Sequence, residues 1–435
     1  MTILRGHRRG MILVMVLWTV VLLLILGAGV TQYYRLDMKR TVFAAQSVRC
    51  QWASRAGLET AIAVLNEDDR AADTLTDDWG DPDEAAVDLK DVTLGDAEFT
   101  VRVVDEAGKL NVNTATKEQL MGLPYMEEPI ADAILDWRDE DDTSNDSGAE
   151  AGYYQNLTYP YRIRNGRFKT IRELLLVKGV TEDLLYGEDG NLNGSLDYNE
   201  RDGETTWPND NQDDVLDQGW IAFLTCWSRD DNLDASGEAR INVNNASQSD
   251  LEQQLGLPAA YARWIVDNRD FDGLGDLLAD DSPDEPDEDV ASVQDQALPL
   301  DLQTYQRILD RITVAEGDEA GPKVNVNTAP EEVLATLFED EQTGRTAALN
   351  IIGYRKGLAY GMESIGDLLN VQGMTRQRFK KIADSVTVRS NVFTVYSLAR
   401  ASHTEVSGAT VVTEAVVDRA QSPCSILYWY QGASH

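Results

Sequence analysis

The chain opens MTILRGHRRGMILVMVLWTVVLLLILGAGV (residues 1–30), and the reading of this stretch decides the architecture of the whole protein. Arg5, Arg8 and Arg9 form a basic flank, and from Ile12 to Val30 there is no charge and one hydroxyl, Thr19. About 20 apolar residues in a helix cover the hydrocarbon core of a bilayer. A secretory signal, a permanent anchor and a hydrophobic helix with some other use are the competing readings. The run is longer than the usual signal core, and no small-x-small cleavage site follows it, the next residues being Thr31-Gln32-Tyr33-Tyr34. The basic flank stays in the cytoplasm and everything after Val30 is sent outward. On these facts alone a plain anchor is the simplest outcome.

The helical pattern does not stop there. No proline occurs before Pro82, and Leu36, Phe43, Val48, Leu58, Ile62 and Leu65 recur at helical spacing with Arg35, Lys39, Arg40, Arg49 and Arg55 between them. A continuous helix from Met11 to Leu65 would be about 80 Å long at 1.5 Å per residue. Its inner half is apolar all round, whereas its outer half is amphipathic, the pattern of a helix packed on a domain. Asn66-Glu67-Asp68-Asp69 ends the helix and opens an acidic loop through Asp91, after which AEFTVRVVD (97–105) alternates as a strand does. NVFTVYSLARA (391–401), ATVVTEAVVDRA (409–420) and CSILYWYQ (424–431) read as three further strands with Ser-Gly and Ser-Pro turn signals, hence an antiparallel meander. An apolar sheet face has to be covered, and the outer half of the long helix is the available cover. The expected fold class is therefore α+β: a membrane segment over 11–31, a helix-on-sheet domain from 32–105 and 389–435, and an all-α domain inserted at 106–388.

The insertion carries an internal repeat. KLNVNTATKEQL (109–120), RINVNNASQSDL (240–251) and KVNVNTAPEEVL (323–334) each lead through Asn-Val-Asn into a helix. Thr114, Asn245 and Thr328 are the expected caps, with Glu118, Asp250 and Glu332 in the first turn, where acid suits the helix dipole. The first and third copies are followed by FKTIRELLLVKGVTEDLL (168–185) and MESIGDLLNVQGMTRQRF (362–379), each read as a helix, a glycine cap (Gly179, Gly373) and a second helix. This resembles helix-hairpin-helix or SAM-like modules, over about 106–230 and 320–388 with 231–319 between. In such modules glycine N–H groups and lysines hold a nucleic-acid backbone. The alternative is an all-α packing unit with no such role, and charge favours it. LPYMEEPIADAIL puts Glu127-Glu128 at the first hairpin, and only GMTRQRFKK (373–381) is basic.

Composition points the same way. The 435 residues carry a formal net charge of −37, with the acid almost wholly beyond residue 65, a surface that repels phosphate backbones and suits cations such as calcium. Residues 189–200, DGNLNGSLDYNE, match the calcium-loop pattern D-x-[DN]-x-[DN]-G-x5-E. Asp189, Asn191 and Asn193 would offer side-chain oxygens, Ser195 its carbonyl, Asp197 a direct or water-bridged contact and Glu200 a bidentate carboxylate, with Gly194 at the sharp turn. No exiting helix follows in RDGETTWPNDNQDD, and an acidic linker matching by chance is the competing account. Asp139, Asp141 and Asp142 in DWRDEDDTSNDSGAE (136–150) offer a second ion site or a solvated loop. DDSPDEPDEDV (280–290) reads as a disordered linker. The three cysteines allow one disulfide, for which Cys226 and Cys424 are the expected pair because Cys50 lies on the long helix. No zinc set, Walker A loop, nucleophile elbow or catalytic Cys–His pair is present, so no enzyme is expected.

A basic leader over 1–10 ending in Gly10, an apolar helix starting at Met11, an amphipathic extension and a strand-rich head resemble a type IV pilin-like protein. The resemblance implies cleavage by a prepilin peptidase between Gly10 and Met11. It also implies a helix that is kept and later drawn from the membrane into a fibre core. Pilins and pseudopilins usually carry Glu at the fifth mature position, here Met15. That departure, the large head and the N-V-N-T-A modules are similar to the general secretion pathway protein K family, minor pseudopilins of type II secretion. The family implies a structural role at the tip of a periplasmic pseudopilus. Its partners would be the other minor pseudopilins, the major pseudopilin, prepilin peptidase, the inner membrane, and the secretin or exoproteins, with no nucleic acid. A membrane-anchored DNA receptor of the competence type is the alternative. A calcium-binding adhesin is a third reading and would need the head outside the cell.

Overall fold

A computed structural model describes residues 8–433 apart from 82–84, 193, 195, 279–298, 318, 403–407 and 422, so the acidic linker expected at 280–290 lies outside the described residues. Helix α1 (Arg8–Glu67) is one unbroken element. Residues 11–44 are exposed on every side, and burial begins at Cys50. From there the packed face is Cys50, Ala53, Ser54, Gly57, Leu58, Ala61 and Leu65. Leu36, Phe43 and Val48 lie outside it, exposed. The reason is steric: small residues let the helix close on the sheet. A Cβ at Gly57 would fall 2.8 Å from the ring of Phe99 and 2.9 Å from Val101. Ser54 Oγ uses that closeness to donate to the Ser397 carbonyl at 2.8 Å.

The acidic loop leads into β1 (Val92–Leu94) and β2 (Ala97–Asp105), whose side chains alternate between fully and partly buried. The insertion then consists of three copies of one unit. The first runs β3 (Leu110–Asn111), α2 (Lys117–Met121), α3 (Glu128–Arg138), α4 (Ala151–Gln155), a 3₁₀ turn (Ile171–Leu176), α5 (Glu182–Tyr186) and β4 (Leu224–Thr225). The second runs β5 (Ile241–Asn242), α6 (Gln248–Gln254), α7 (Ala259–Asp267), a 3₁₀ turn (Leu274–Leu277), α8 (Leu302–Ile308) and β6 (Ile312–Thr313). The third runs β7 (Val324–Asn325), α9 (Glu331–Ala335), α10 (Glu341–Lys356), a 3₁₀ turn (Ile365–Asn370), α11 (Arg376–Ile382) and β8 (Val386–Thr387). In each unit the opening and closing strands pair in parallel.

The repeated Asn-Val-Asn is a backbone clamp. The first Asn accepts the N–H of the second through its side-chain oxygen, at 3.0 Å in Asn111/Asn113, 2.8 Å in Asn242/Asn244 and 3.0 Å in Asn325/Asn327. The second Asn then makes a two-way amide pair with the main chain of Phe168, Phe271 or Met362 at 2.7–3.1 Å. An arginine near the end of the second helix completes the clamp by donating to carbonyls of the turn: Arg138 to Val112 and Ala115, Arg269 to Ala246, Arg355 to Val326 and Ala329.

Two expectations are corrected by this arrangement. The caps are Thr116, Ser247 and Pro330, not Thr114, Asn245 and Thr328. The latter three sit in the preceding turn, their N–H groups on the carbonyls of Asn111, Asn242 and Asn325. The segments before Gly179 and Gly373 are 3₁₀ turns ending at Val177 and Val371, and both glycines, at φ +86° and +81°, turn the chain two residues later.

The chain then returns through β9 (Val392–Ala401), β10 (Thr410–Asp418) and β11 (Ser425–Ala433), giving an antiparallel sheet in the order β1-β2-β9-β10-β11. Asp105 and Phe393 are register partners, so the insertion leaves and re-enters at adjacent strands on one end of the sheet. That end is distal to the apolar half of α1. Arg49 pairs with Asp96 at 2.5 Å at the near end of β2, whereas Asn66 accepts the Cys424 N–H and Arg419 joins Asp68 and Asp73 at the far end. One core lies between α1 and the sheet and a second fills the three units.

Candidate functional site

In the calcium-like loop, Asp189 is buried and its Oδ2 accepts the Gly194 N–H at 2.9 Å, with Gly194 at φ +73° as the pattern requires. Asn191 donates to Asp197 Oδ2 at 2.9 Å, and Glu200, on a 3₁₀ turn (Tyr198–Glu200), accepts the Asp197 N–H through Oε2 at 2.9 Å. Glu200 Oε1 is buried without a well-formed hydrogen bond. Burial first, then Asp189 and Asp197, pushes the Glu200 carboxyl above its usual range. Asp189, Asn191, Asp197 and Glu200 are thus brought together; Asn193 and Ser195 lie outside the described residues. Arg102 of β2 donates to the Leu192 carbonyl at 2.6 Å, tying the loop to the sheet.

A second carboxylate centre stands at the end of α3. One oxygen each from Asp136, Asp139 and Glu150 lies within 4.8 Å of the others. Asp136 is fully buried and satisfied by Asn145, Ala149 and Ser144. Neither oxygen of buried Glu150, nor Oδ1 of Asp139, has a well-formed hydrogen bond. Burial, reinforced by Asp136 and Asp139, pushes Glu150 up to about 7. Three hard oxygen donors, of which Asp139 and Glu150 carry unsatisfied oxygens, fit a divalent ion such as calcium. Of the three carboxylates expected here only Asp139 takes part. Asp141 caps the Thr143 N–H and Asp142 receives Asn165. Asp136 and Glu150 escaped sequence reading because nothing but acidic abundance marks them.

The expected disulfide is not formed: Cys50, Cys226 and Cys424 are all free thiols. Cys226 packs against the insertion core and Cys424 against the helix–sheet core, beside Asn66, so the two belong to different layers. Gly10 and Met11 both lie within α1. Met11–Glu67 is the one helix among the described residues long and apolar enough to cross a membrane, and none of its most apolar window is buried.

Two segments, residues 108–186 and 324–389, match the family described as type II secretion system protein K, the first within unit one and the second spanning unit three. Those two segments are what the chain shares with that family. The type II secretion system protein K of Pectobacterium carotovorum subsp. carotovorum is 26% identical over 203 residues, covering 41% of this chain and 61% of that protein. The Aeromonas hydrophila protein of the same name is 25% identical over 204 residues, covering 40% and 60%. The matched portion thus spans about three fifths of these relatives' length. A chain in the crystal structure of the GspK-GspI-GspJ complex from the enterotoxigenic Escherichia coli type 2 secretion system aligns over 90% of this chain and 99% of its own, with a TM-score of 0.46 and 14% identity. A competence-type DNA receptor is not favoured: Glu127 opens α3 where a phosphate would dock, and Lys381 of basic α11 is paired with Glu339 at 2.5 Å.

Proposed function

We propose that this chain is a type II secretion protein K, a minor pseudopilin that initiates and caps a periplasmic pseudopilus. The inner-membrane segment would be released for assembly after prepilin peptidase cuts between Gly10 and Met11. One observation carries the tip placement: the insertion crowns the end of the head distal to the apolar half of α1. A subunit stacked along the helix axis beyond it would meet the three units rather than a free helix end. Met15 adds to this, because it offers no carboxylate to the free amino terminus of a neighbour above. Sister minor pseudopilins and the major pseudopilin would pack below, and the secretin and exoproteins would meet the insertion. The loop at 189–200 and the Asp136–Asp139–Glu150 centre would hold structural calcium, the buried and unsatisfied carboxylate oxygens being the observation behind it.

Mass spectrometry of the mature protein is expected to find Met11 at the N-terminus, and gold-labelled antibody to the insertion is expected to decorate one fibre end. Retention of residues 1–10 overturns the pilin-like reading. Label along the length of the fibre overturns the tip.

A further inference from the structure

Between the end of the apolar run at Val30 and the first packed residue, Cys50, helix α1 passes through a stretch in which residues 31–45 are exposed on every side. Tyr33 and Tyr34, 67% and 62% exposed, open this stretch, and Arg35, Lys39 and Arg40 follow them. None of these three cations enters an ion pair or a side-chain hydrogen bond among the described residues. The next two along the helix do, Arg49 with Asp96 and Arg55 with Glu59. Asp37 is the one acid before Glu59, and at two residues from both Arg35 and Lys39 it lies across the helix from them. Exposed cations in water need no partner. What singles these out is their depth.

Met11–Val30 is 20 residues, about 30 Å of helix, the thickness of a hydrocarbon core. At 1.5 Å per residue, Tyr33 and Tyr34 stand about 5–6 Å beyond that core, Arg35 about 8 Å, and Lys39 and Arg40 about 14–15 Å. The head-group layer on one side is about 5–8 Å thick. Side chains of an α-helix lean toward its N-terminus, which here is the membrane side. Arg35 therefore lies at the lipid phosphates, and the long Lys39 and Arg40 side chains reach back toward them. Attraction to an anionic surface acts within a Debye length, about 8 Å. Tyr33 and Tyr34 take the interfacial depth at which aromatic rings settle. A protein partner would have to displace lipid head groups to reach Arg35. The rest of the chain has the opposite sign, its acid lying almost wholly beyond residue 65, so the same surface that attracts this stretch repels the head.

We propose that residues 33–40 form a head-group collar in which Arg35, Lys39 and Arg40 bind anionic phospholipid of the head-side leaflet. The collar fixes the depth of α1 and, with the repelled head, stands the chain upright on the bilayer. The proposal rests on reading Met11–Val30 as the membrane span and adds the lipid class and the residues that hold it. Release of α1 from the membrane has to break these contacts, so the lipid class sets part of its barrier.

The test uses the full chain reconstituted in vesicles, with acyl-spin-labelled phosphatidylglycerol and phosphatidylcholine compared for association by electron spin resonance. An Arg5→Gln, Arg8→Gln, Arg9→Gln background silences the other basic flank. In it phosphatidylglycerol is expected to associate about fivefold more tightly than phosphatidylcholine, the effect of one Lys or Arg near an anionic surface. Adding Arg35→Gln, Lys39→Gln and Arg40→Gln is expected to abolish that preference, whereas adding Arg49→Gln is expected to leave it. An unchanged melting temperature of the head is the folding check. An inserted chain with no preference, or one that keeps it after the collar change, overturns the collar and leaves the membrane span standing. A chain that alkaline carbonate washes off the vesicles overturns both.

Discussion

Asp230, at the junction of the second and third units, and Glu150, in the first, are both buried carboxylates. Around Asp230, Arg240 donates at 2.9 and 3.1 Å, Lys323 lies at 3.0 Å and the Asn232 N–H at 2.8 Å. Burial alone would raise the Asp230 carboxyl; Lys323 and Arg240 outweigh it and hold the group down at about 2. Around Glu150 the nearest charges are Asp136 and Asp139, and the carboxyl rises to about 7. The chain supplies its own counter-charges at the junction. In the first unit the proposed calcium would take that task. An acidic protein therefore has two kinds of buried acid, one neutralised within the fold and one surrounded by further carboxylates.

Breaking the complete site has the largest expected effect. Asp230→Asn leaves Lys323 and Arg240 buried with no carboxylate between them, and loss of one partner from a buried ion cluster costs about 3–5 kcal/mol. Urea unfolding of the full chain in detergent measures it. A loss under about 1 kcal/mol, the range of an exposed pair, would mean that Asp230 is not what holds these cations. The sign with pH follows from a depressed carboxyl: its contribution is present above the ordinary Asp range and is lost as pH falls toward 2.

The incomplete site comes next. A calcium concentration of 100 times Kd stabilises the folded chain by about 2.7 kcal/mol, and Glu150→Gln is expected to remove that gain. In chelator the sign reverses relative to Asp230. Glu150 binds its proton more tightly folded than unfolded, so its own contribution to stability is fully present below pH 4.5 and is lost as pH rises through 7. Calcium needs the carboxylate, so its stabilising effect grows across that same window. Thermal melts at pH 5 and pH 7.5, with calcium and with chelator, give the four values needed. A calcium response equal at both pH values, or kept by Glu150→Gln, places the ion elsewhere.

The same contrast explains what could be read in the sequence. Long periodic patterns were legible: α1, β2 at 97–105 and the three closing strands are where alternation and helical spacing put them. The Asn-Val-Asn repeat was visible, but its purpose was not, because the amide pairs reach Phe168, Phe271 and Met362, 27 to 55 residues away. Thr114, Asn245 and Thr328 passed for caps because a turn of the same composition precedes the true ones. The second unit was hidden because FDGLGDLLAD (271–280) is followed by an acidic stretch rather than by a second helix. Asp136 and Glu150 are 14 positions apart in a chain crowded with acid, and only the fold of α3 against α4 selects them.

The loop at 189–200 should give the smallest of these effects, although it carries the clearest motif. Two of its early ligand positions, Asn191 and Asn193, are neutral, so less charge draws the ion in than at the centre built by Asp136, Asp139 and Glu150. A Kd of about 10⁻⁴ to 10⁻³ M is the range of weak extracellular calcium modules. At 1 mM calcium that corresponds to about 0.4–1.4 kcal/mol of added stability. Glu200→Ala removes the carboxylate whose Oε1 is buried and unsatisfied. Asp189→Ala removes the group that holds the Gly194 turn. Each change, made in a Glu150→Gln background so that the stronger centre is silent, is expected to erase the remaining calcium-dependent rise in melting temperature. The link from Leu192 to Arg102 predicts that the same variants also loosen the insertion on the sheet, visible as faster amide exchange at Arg102 and Val103. If both variants keep the residual calcium response, the motif is an acidic linker and the buried centre accounts for all of the binding.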